Sequence, residues 1–162
     1  MATQIQPTPQ KITTFLWFDN NAEEAANFYV SVFKNSRIVT TVRNGENGPG
    51  PKGSVLTIEF ELDGQRFTGL NGGPRFKFTE AISLVVNCET QEEIDYFWEK
   101  LSADGGEQVE CGWLKDKFGL SWQVVPAELA KLLTSGNSER VINAVMGMKK
   151  LDIEELRKAA QG

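Results

Sequence analysis

The chain has 162 residues, of which 40% are apolar and 24% charged, and its formal net charge is −5. This composition suits one globular domain with a packed core and excludes an extended or disordered chain. The negative charge and scattered cations argue against a nucleic-acid partner, and no apolar run reaches the roughly 18 residues of a membrane-spanning helix.

The N-terminal segment Met1–Lys11 is polar and contains Pro7 and Pro9. Because it has no apolar core, we expect neither a signal peptide nor a membrane anchor. Cys88 and Cys111 form no CxxC pair, and without a secretion signal they are expected to be reduced thiols. These features predict a cytoplasmic location.

Residues 12–70 predict a strand, a helix and three further strands. Ile12–Phe18 is an apolar, aromatic run typical of a buried strand. Side-chain oxygens at residues 19–21 are expected to cap a helix over residues 22–33, whose apolar positions recur at helical spacing. The later strands are predicted at Arg37–Val42, Ser54–Leu62 and Gln65–Leu70, with a hairpin turn at Asp63-Gly64.

Residues 80–125 repeat this order of elements. A strand is predicted at Ala81–Val86, and Thr90 with Glu93 has the pattern of a capping box at a helix start. The apolar face of that helix consists of Ile94, Phe97, Trp98 and Leu101. Further strands are predicted at Glu107–Cys111, Trp113–Asp116 and Leu120–Val125.

The two halves align directly. A shift of 69 positions superposes Glu23-Glu24 on Glu92-Glu93, Phe28 on Phe97 and Tyr29 on Trp98. The shared order and these matches predict two βαβββ modules. Two such modules can bury their sheets around a shared, cleft-like interior.

The last part of the chain predicts helices. Pro126–Thr134 has helical spacing, Ser138 is expected to cap a second helix and Asp152 a third. These helices are expected to be packing elements or a dimer-contacting arm.

The chain contains no histidine. Histidine is the commonest general base near neutral pH and the commonest transition-metal ligand. Its absence excludes Ser-His-Asp and Cys-His catalysis, and any histidine-containing zinc or iron site, within this chain.

The segment Cys111–Pro126, CGWLKDKFGLSWQVVP, resembles the closing signature of PhnB-like proteins. These are the 3-demethylubiquinone-9 3-methyltransferase-like family of the vicinal-oxygen-chelate (glyoxalase/bleomycin-resistance) superfamily. FLWF from Phe15, followed by AEEA from Ala22 and Phe28-Tyr29, resembles the family's opening, and Met146–Leu156 resembles its C-terminal tail.

The resemblance covers nearly the whole chain and implies an α+β, glyoxalase/bleomycin-resistance-like fold. In that fold two βαβββ modules form a cleft, here followed by C-terminal helices. We therefore predict a single domain over residues 1–162, with module one at about 12–70, module two at about 80–125 and a helical tail at 126–162.

Metal-dependent members of the superfamily place one ligand, typically His or Glu, on the first and last strand of each half. Carried over by position, these sites fall near Thr14, Thr68, Ala81 or Ser83, and Gln123. Neutral amide and hydroxyl oxygens rarely hold a divalent transition metal against water. We therefore predict no metal and no cofactor.

A ligand-binding cleft is predicted instead. Its candidate residues are Thr14, Trp17, Thr68, Ser83, Trp113, Trp122 and Gln123. For each aromatic residue among them, and for Phe15, Trp98 and Phe118, a position in the core is the stronger interpretation. Trp122 and Gln123 point to opposite faces of a regular strand, and the superfamily pattern favours Gln123 in the cleft.

No catalytic residue is assigned. Glu59 could act as a general base, but its alternation with Ile58 and Phe60 favours a solvated strand face. Cys88 lies near a helix start, where a thiol can be activated, although a buried structural cysteine is the stronger interpretation. Asp116 is expected in the turn before Phe118-Gly119.

Three functions remain open at this point. The first is a metal-independent small-molecule binding protein, expected to be a homodimer. The second is an enzyme of the same fold, such as a methyltransferase, although no Gly-rich turn of the Rossmann type opens a helix after a strand. The third is an interaction role for the C-terminal helices.

Overall fold

The computed structural model describes residues 10–162, which divide into two compact units, residues 10–77 and 78–162. Each unit contains a strand, a helix and three further strands, and the second continues into three helices. The predicted α+β fold with two βαβββ modules and C-terminal helices is confirmed. Most of the polar segment Met1–Lys11 lies outside the described residues.

The first unit forms one four-stranded sheet. Its elements are β1 (Thr14–Phe18), α1 (Ala22–Val32), β2 (Arg37–Arg43), β3 (Val55–Leu62) and β4 (Gln65–Asn71). The strand order is β1-β4-β3-β2, with β1 parallel to β4 and the other pairs antiparallel.

One side of this sheet packs against α1. Phe60 of β3 and Phe67 of β4 are buried there, and Tyr29 of α1 stacks on Phe60 with 6.1 Å between ring centroids. Buried and more exposed residues alternate along the strands, as expected for a sheet with one covered side. The predicted turn at Asp63-Gly64 is confirmed, since both residues have positive φ, 46° and 81°.

The start of α1 differs from the prediction. The N-cap residue Asn21 makes no side-chain capping bond. Instead, the Ala22 backbone N–H donates to Asn71 Oδ1 over 2.9 Å, and Asn71 Nδ2 donates to the Val55 carbonyl over 3.0 Å. A residue of β4 thus satisfies the helix end, which local sequence alone does not reveal.

The second unit repeats the topology. Its elements are β5 (Leu84–Cys88), α2 (Gln91–Ser102), β6 (Glu107–Gln108), β7 (Trp113–Lys115), β8 (Ser121–Pro126), α3 (Leu129–Leu133), α4 (Ser138–Met146) and α5 (Ile153–Gln161). The strand order is β5-β8-β7-β6. The predicted first strand began too early, because pairing with β8 starts only at Leu84.

The internal repeat is visible in the helices. Tyr29 and Trp98, which the sequence alignment superposes, are both buried, while Phe28 and Phe97 are both half-buried. The Thr90 cap is also confirmed, since the Glu93 backbone N–H donates to Thr90 Oγ1 over 3.2 Å. The repeat therefore reflects equivalent helix packing in the two modules.

The C-terminal helices are packing elements of the second unit, as one of the two alternatives predicted. Their apolar side chains form a cluster with the end of β8, consisting of Val125, Leu132, Val141, Leu151 and Leu156. Gln91 of α2 joins them to the module, because its Nε2 donates to the Leu151 carbonyl and its Oε1 accepts from the Ile153 N–H.

The helix starts in this tail are partly as predicted. Asp152 caps α5 by accepting from the Glu155 N–H over 2.9 Å. Ser138 is not the cap of α4 but its first residue, and the N-cap is Asn137. The Asn137 side chain is used elsewhere, donating to the Ala160 carbonyl over 2.8 Å. Within residues 10–162, no helix is long and apolar enough to span a membrane.

Candidate functional site

The side of the first sheet that faces away from α1 contains several of the predicted site residues. We call it the first open face, and it contains Phe15, Trp17, Glu59, Glu61, Arg66, Thr68 and Leu70. The strand register pairs Phe15 with Thr68 and Trp17 with Leu70. The predicted site residues Trp17 and Thr68 therefore lie on the same face.

Backbone atoms fix the Trp17 side chain. Its Nε1 donates to the Gly73 carbonyl over 2.9 Å, and Phe76 contacts the indole edge-to-face with 4.9 Å between centroids. A Cβ at Gly72 would lie 2.3 Å from the indole ring, so only glycine allows this approach. The indole is thus held in one orientation on the first open face.

The first open face also contains an ion-paired network. Arg66 Nη1 contacts Glu59 Oε1 at 2.8 Å, and Arg66 Nε is 3.8 Å from Glu61 Oε2. Glu61 also accepts from Arg37 at 3.0 Å. Since Glu59 is part of this ion-paired network, its arrangement supports the predicted solvated strand face.

Thr14 does not join this face. It pairs with Phe67 and lies on the same side of β1 as Leu16 and Phe18, which are buried against α1. Thr14 and Thr68 therefore lie on opposite sides of the sheet, and the prediction that grouped them is wrong in this respect. The cause is the two-residue period of a strand, which places Phe15 opposite Thr68.

The second sheet also has a side that faces away from its helix α2. We call it the second open face, and it contains Ser83, Val85, Trp113, Lys115, Ser121 and Gln123. The register pairs Gln123 with both Val85 and Trp113. Gln123 Nε2 donates to Ser83 Oγ over 2.9 Å. Three predicted site residues, Ser83, Trp113 and Gln123, are thus brought together.

Trp122 lies on the other side of β8. It is only 3% exposed, and its Nε1 donates to Asp116 Oδ2 over 2.9 Å. The predicted opposition of Trp122 and Gln123 is confirmed, and Trp122 itself is a core residue. Its inclusion among the cleft candidates is therefore not supported by its position.

Asp116 lies in the predicted turn but does more than begin it. Its carboxylate is buried, and Oδ1 accepts from the N–H groups of Phe118 and Leu120 at 2.9 and 3.1 Å. Together with the Trp122 bond, these contacts join the β7–β8 turn to the core. The sequence pattern did not reveal this burial, because Asp116 stands between two lysines.

The two cysteines differ in exposure. Cys88 is 1% exposed, and burial, followed by the nearby Glu93 charge, raises the pKa of its thiol to about 12. A thiol with this pKa is protonated and unreactive at neutral pH. The interpretation of Cys88 as a buried structural residue is confirmed. Cys111 is partly exposed and adopts a positive φ of 62°.

A groove of about 440 Å³ borders the second open face. Its lining residues are Glu80, Glu107, Val109, Glu110, Cys111, Trp113, Leu114, Lys115 and Ser121. The Lys115 ammonium contacts Glu80 and lies 4.0 Å from Glu107. The hydrogen bond between Lys115 and Glu80 lowers the pKa of the carboxyl and raises the pKa of the amine.

Ser121 has an unusual position in this groove. It is 1% exposed, and its Oγ has no hydrogen-bond partner. A buried polar group without a partner costs about 1–3 kcal/mol. Strand alternation from Gln123 could have identified Ser121 as a site residue, but the sequence gives no signal for its missing partner.

The positions that the resemblance predicts as ligand sites do not fit a metal. Thr14 and Thr68 lie on opposite sides of the first sheet, and the amide of Gln123 in the second sheet is bonded to Ser83, so the available donors are neutral and divided among three sheet faces. Within residues 10–162, no three His, Cys, Asp or Glu side chains come together as a possible ligand group. Divalent transition metals need such ligands.

The comparisons with known proteins agree with the fold. The family model described as 3-demethylubiquinone-9 3-methyltransferase matches residues 10–125. The chain therefore belongs to this family. The match ends before α3, so it does not test the predicted family resemblance of the C-terminal tail. No curated protein matches the chain.

Solved structures have a similar fold. A PhnB protein from Bacillus cereus is 46% identical, with 73% of this chain and 100% of that chain covered and a TM-score of 0.68. A Pseudomonas aeruginosa protein is 18% identical over 71% of this chain and 96% of that chain, with a TM-score of 0.59.

A more distant likeness connects the chain with a fosfomycin resistance protein. That protein, from Listeria monocytogenes, was solved with Mn(II) and sulfate. It is 15% identical, with 78% of this chain and 96% of that chain covered and a TM-score of 0.50. This likeness concerns the fold alone.

Proposed function

We propose that the protein is a metal-independent small-molecule binding protein of the glyoxalase/bleomycin-resistance fold. The observation that supports this most directly is the second open face, where Trp113 lies beside the hydrogen-bonded pair Gln123 and Ser83. An aromatic surface next to a few neutral polar groups is typical of ligand sites. The same positions provide no anionic ligand for a metal.

Calorimetric titration with zinc, nickel and iron tests the metal-independent part. The expected result is no tight stoichiometric site in the wild-type protein. One tight site of unit stoichiometry would contradict the proposal. The variant Gln123→Glu adds a carboxylate on the same face. Comparing its metal affinity with that of the wild type tests whether one anionic ligand is enough to bind metal.

Methyl transfer is the second candidate function, because the family model and the Bacillus cereus relative both have this name. Within the described residues, the β1–α1 and β5–α2 connections contain no glycine, unlike a Rossmann-type S-adenosylmethionine site. Saturable binding of S-adenosylmethionine in equilibrium dialysis would favour this candidate. Absence of binding at millimolar concentration would eliminate it.

We further propose that the protein is a homodimer in which α4 contributes to the contact. Ile142 and Met146 are 46% and 64% exposed and lie one turn apart on this helix. Light scattering of the wild-type chain is expected to give the dimer mass, and Ile142→Ser with Met146→Ser to give the monomer mass. A monomeric wild type would contradict the proposal.

A further inference from the structure

We infer that the groove beside Trp113 binds organic cations, namely amines or quaternary ammonium groups attached to an apolar or aromatic body. The inference rests on the proposed small-molecule binding function and adds the charge of the ligand and its position. It depends on three features of the second unit: the sign of the charges in the groove, the indole of Trp113 and the unpartnered hydroxyl of Ser121.

The charges of the groove favour a cation. Three carboxylates line it, those of Glu80, Glu107 and Glu110, whereas Lys115 is its one lining cation. Lys115 already contacts Glu80 and lies near Glu107. The Glu110 carboxylate lies 4.0 Å from the ammonium of Lys149, and Lys149 does not line the groove. An anionic ligand would therefore meet a carboxylate excess, and a cationic ligand would be attracted by it.

Trp113 provides the apolar contact. It is half-buried in β7, and Val109 also lines the groove. The indole face attracts cations through its quadrupole and also contacts apolar groups. A ligand with both an ammonium group and an apolar body fits this combination better than a simple metal ion or a neutral sugar.

Ser121 provides an acceptor inside the groove. The register places it directly opposite Lys115, and its Oγ is buried without a partner. An ammonium N–H can donate to this oxygen and satisfy it. Because Oγ is covered, a ligand reaches it only when a neighbouring side chain moves, and the flexible four-carbon stem of Lys115 allows such a movement.

Two other grooves of the second unit lack this combination. They border the C-terminal helices, where Arg157 pairs with Glu128 at 2.6 Å and Lys158 with Glu155 at 2.9 Å. Among the described residues, the buried side-chain atoms without a partner are Ser121 Oγ and Asn44 Oδ1, and Asn44 belongs to the first unit. The unsatisfied acceptor in the second unit is thus in the acidic, Trp-lined groove.

Titrations monitored by ¹H–¹⁵N NMR test the inference on the full chain. The probes are tryptamine, a cation, and indole-3-acetate, an anion with the same ring. Tryptamine is expected to shift the Trp113 indole resonance and the Ser121 amide saturably, with an affinity at least about tenfold higher than that of indole-3-acetate. The Trp113 resonance is assigned from its loss in Trp113→Phe.

Variants separate binding from folding. Ser121→Ala removes a hydroxyl that makes no bond in the free protein, so we expect about fivefold weaker tryptamine binding with no loss of thermal stability. Glu107→Gln with Glu110→Gln is expected to weaken binding by about tenfold. Glu154→Gln is the matched control, because this exposed carboxylate of α5 lies outside the groove.

The possible outcomes distinguish this inference from the proposed function. Equal affinity for the two probes, or unchanged binding in Ser121→Ala, would overturn the cation groove. A screen of neutral and anionic fragments on the same protein then decides the broader proposal. If such fragments bind the open faces, the small-molecule function stands without the cation preference, and if no fragment of any charge binds, both fail.

Discussion

The two units have the same sheet order but hold their tryptophans in different ways. In the first unit, Trp17 lies on the open face and is fixed by the backbone of Gly72 and Gly73. In the second, Trp122 is buried on the helix side and is fixed by the Asp116 carboxylate. The position of each tryptophan along its strand therefore sets the side of the sheet on which it lies, while a different polar contact in each module holds its indole.

This difference also separates core from site. An aromatic residue that donates to a buried carboxylate contributes to stability, whereas one that is held against a sheet surface remains available to a ligand. Trp122 and Trp113 lie on neighbouring strands of one sheet yet face opposite sides of it, and the ligand contact is proposed for Trp113 alone. Substitutions in the two units should therefore differ in how much they lower the free energy of unfolding and in which contact they remove.

The largest effect is expected at the turn before β8. In Asp116→Asn, the amide NH₂ must face at least one of the three N–H donors that the carboxylate accepts. A buried donor left without an acceptor costs about 1–3 kcal/mol, so we expect the free energy of unfolding to fall by about 3 kcal/mol. Urea unfolding measures this loss.

The matched control is the corresponding turn of the first unit. Asp63 is exposed and has a positive φ of 46°, which asparagine also tolerates. Asp63→Asn should therefore change the free energy of unfolding by less than about 0.5 kcal/mol. Similar losses in the two variants would show that the buried carboxylate is not what distinguishes the two turns.

The second effect concerns the contact that fixes Trp17. In Gly72→Ala, the added methyl group would overlap the indole, so the ring must shift, and overpacking of this kind typically costs about 1–3 kcal/mol. We expect a loss of about 2 kcal/mol and a changed Trp17 indole resonance. Gly45→Ala, where a Cβ would meet nothing within 4 Å, is the control and should leave both unchanged.

A third contrast appears in alkaline solution. The first strand of each unit ends on a buried side chain, Phe18 in β1 and Cys88 in β5. Burial raises the pKa of the Cys88 thiol from 9.0 to about 12. Below pH 9 the thiol is protonated in the folded and unfolded states, so its contribution to stability is fully present. Between pH 9 and 12 the unfolded state loses the proton first, and stability falls.

The expected loss from this thiol is about 1 kcal/mol between pH 9 and pH 10. The measurement compares the pH slope of the unfolding free energy in the wild type and in Cys88→Ala, which removes the contribution of this group. Identical slopes would contradict the raised pKa. In native protein at pH 8, a thiol reagent should label Cys111 and leave Cys88 unmodified.

Sequence periodicity was sufficient for the fold and for part of the site. The alternation of apolar residues predicted the strands, and the 69-residue shift predicted the two βαβββ modules. The same alternation separated Trp122 from Gln123. The prediction that Thr14 shares a face with Thr68 is wrong, because the alternation along β1 places Phe15 opposite Thr68.

The remaining features depend on contacts between distant residues. The Asn71 cap of α1 and the Gln91 contacts with Leu151 and Ile153 join positions about 50 to 60 residues apart. No local pattern distinguishes these amides from ordinary surface side chains. The burial of Asp116 and the missing partner of Ser121 likewise follow from tertiary packing alone.

The smallest effect compares the polar contacts on the two open faces. Glu59→Gln removes the ion pair with Arg66. The Glu59 side chain is 36% exposed and the Arg66 side chain 27%, and partly exposed pairs contribute less than about 1 kcal/mol. Gln123→Ala removes the neutral bond to Ser83, worth about 1 kcal/mol. Salt screens the ion pair but not the neutral bond. An increase from 0.05 M to 1 M NaCl should therefore abolish the stability loss of Glu59→Gln and leave that of Gln123→Ala unchanged. Urea unfolding at the two salt concentrations measures both losses. If salt reduced both effects equally, charge would not distinguish the two faces, and the contrast would have to rest on Trp17 and Trp113 alone.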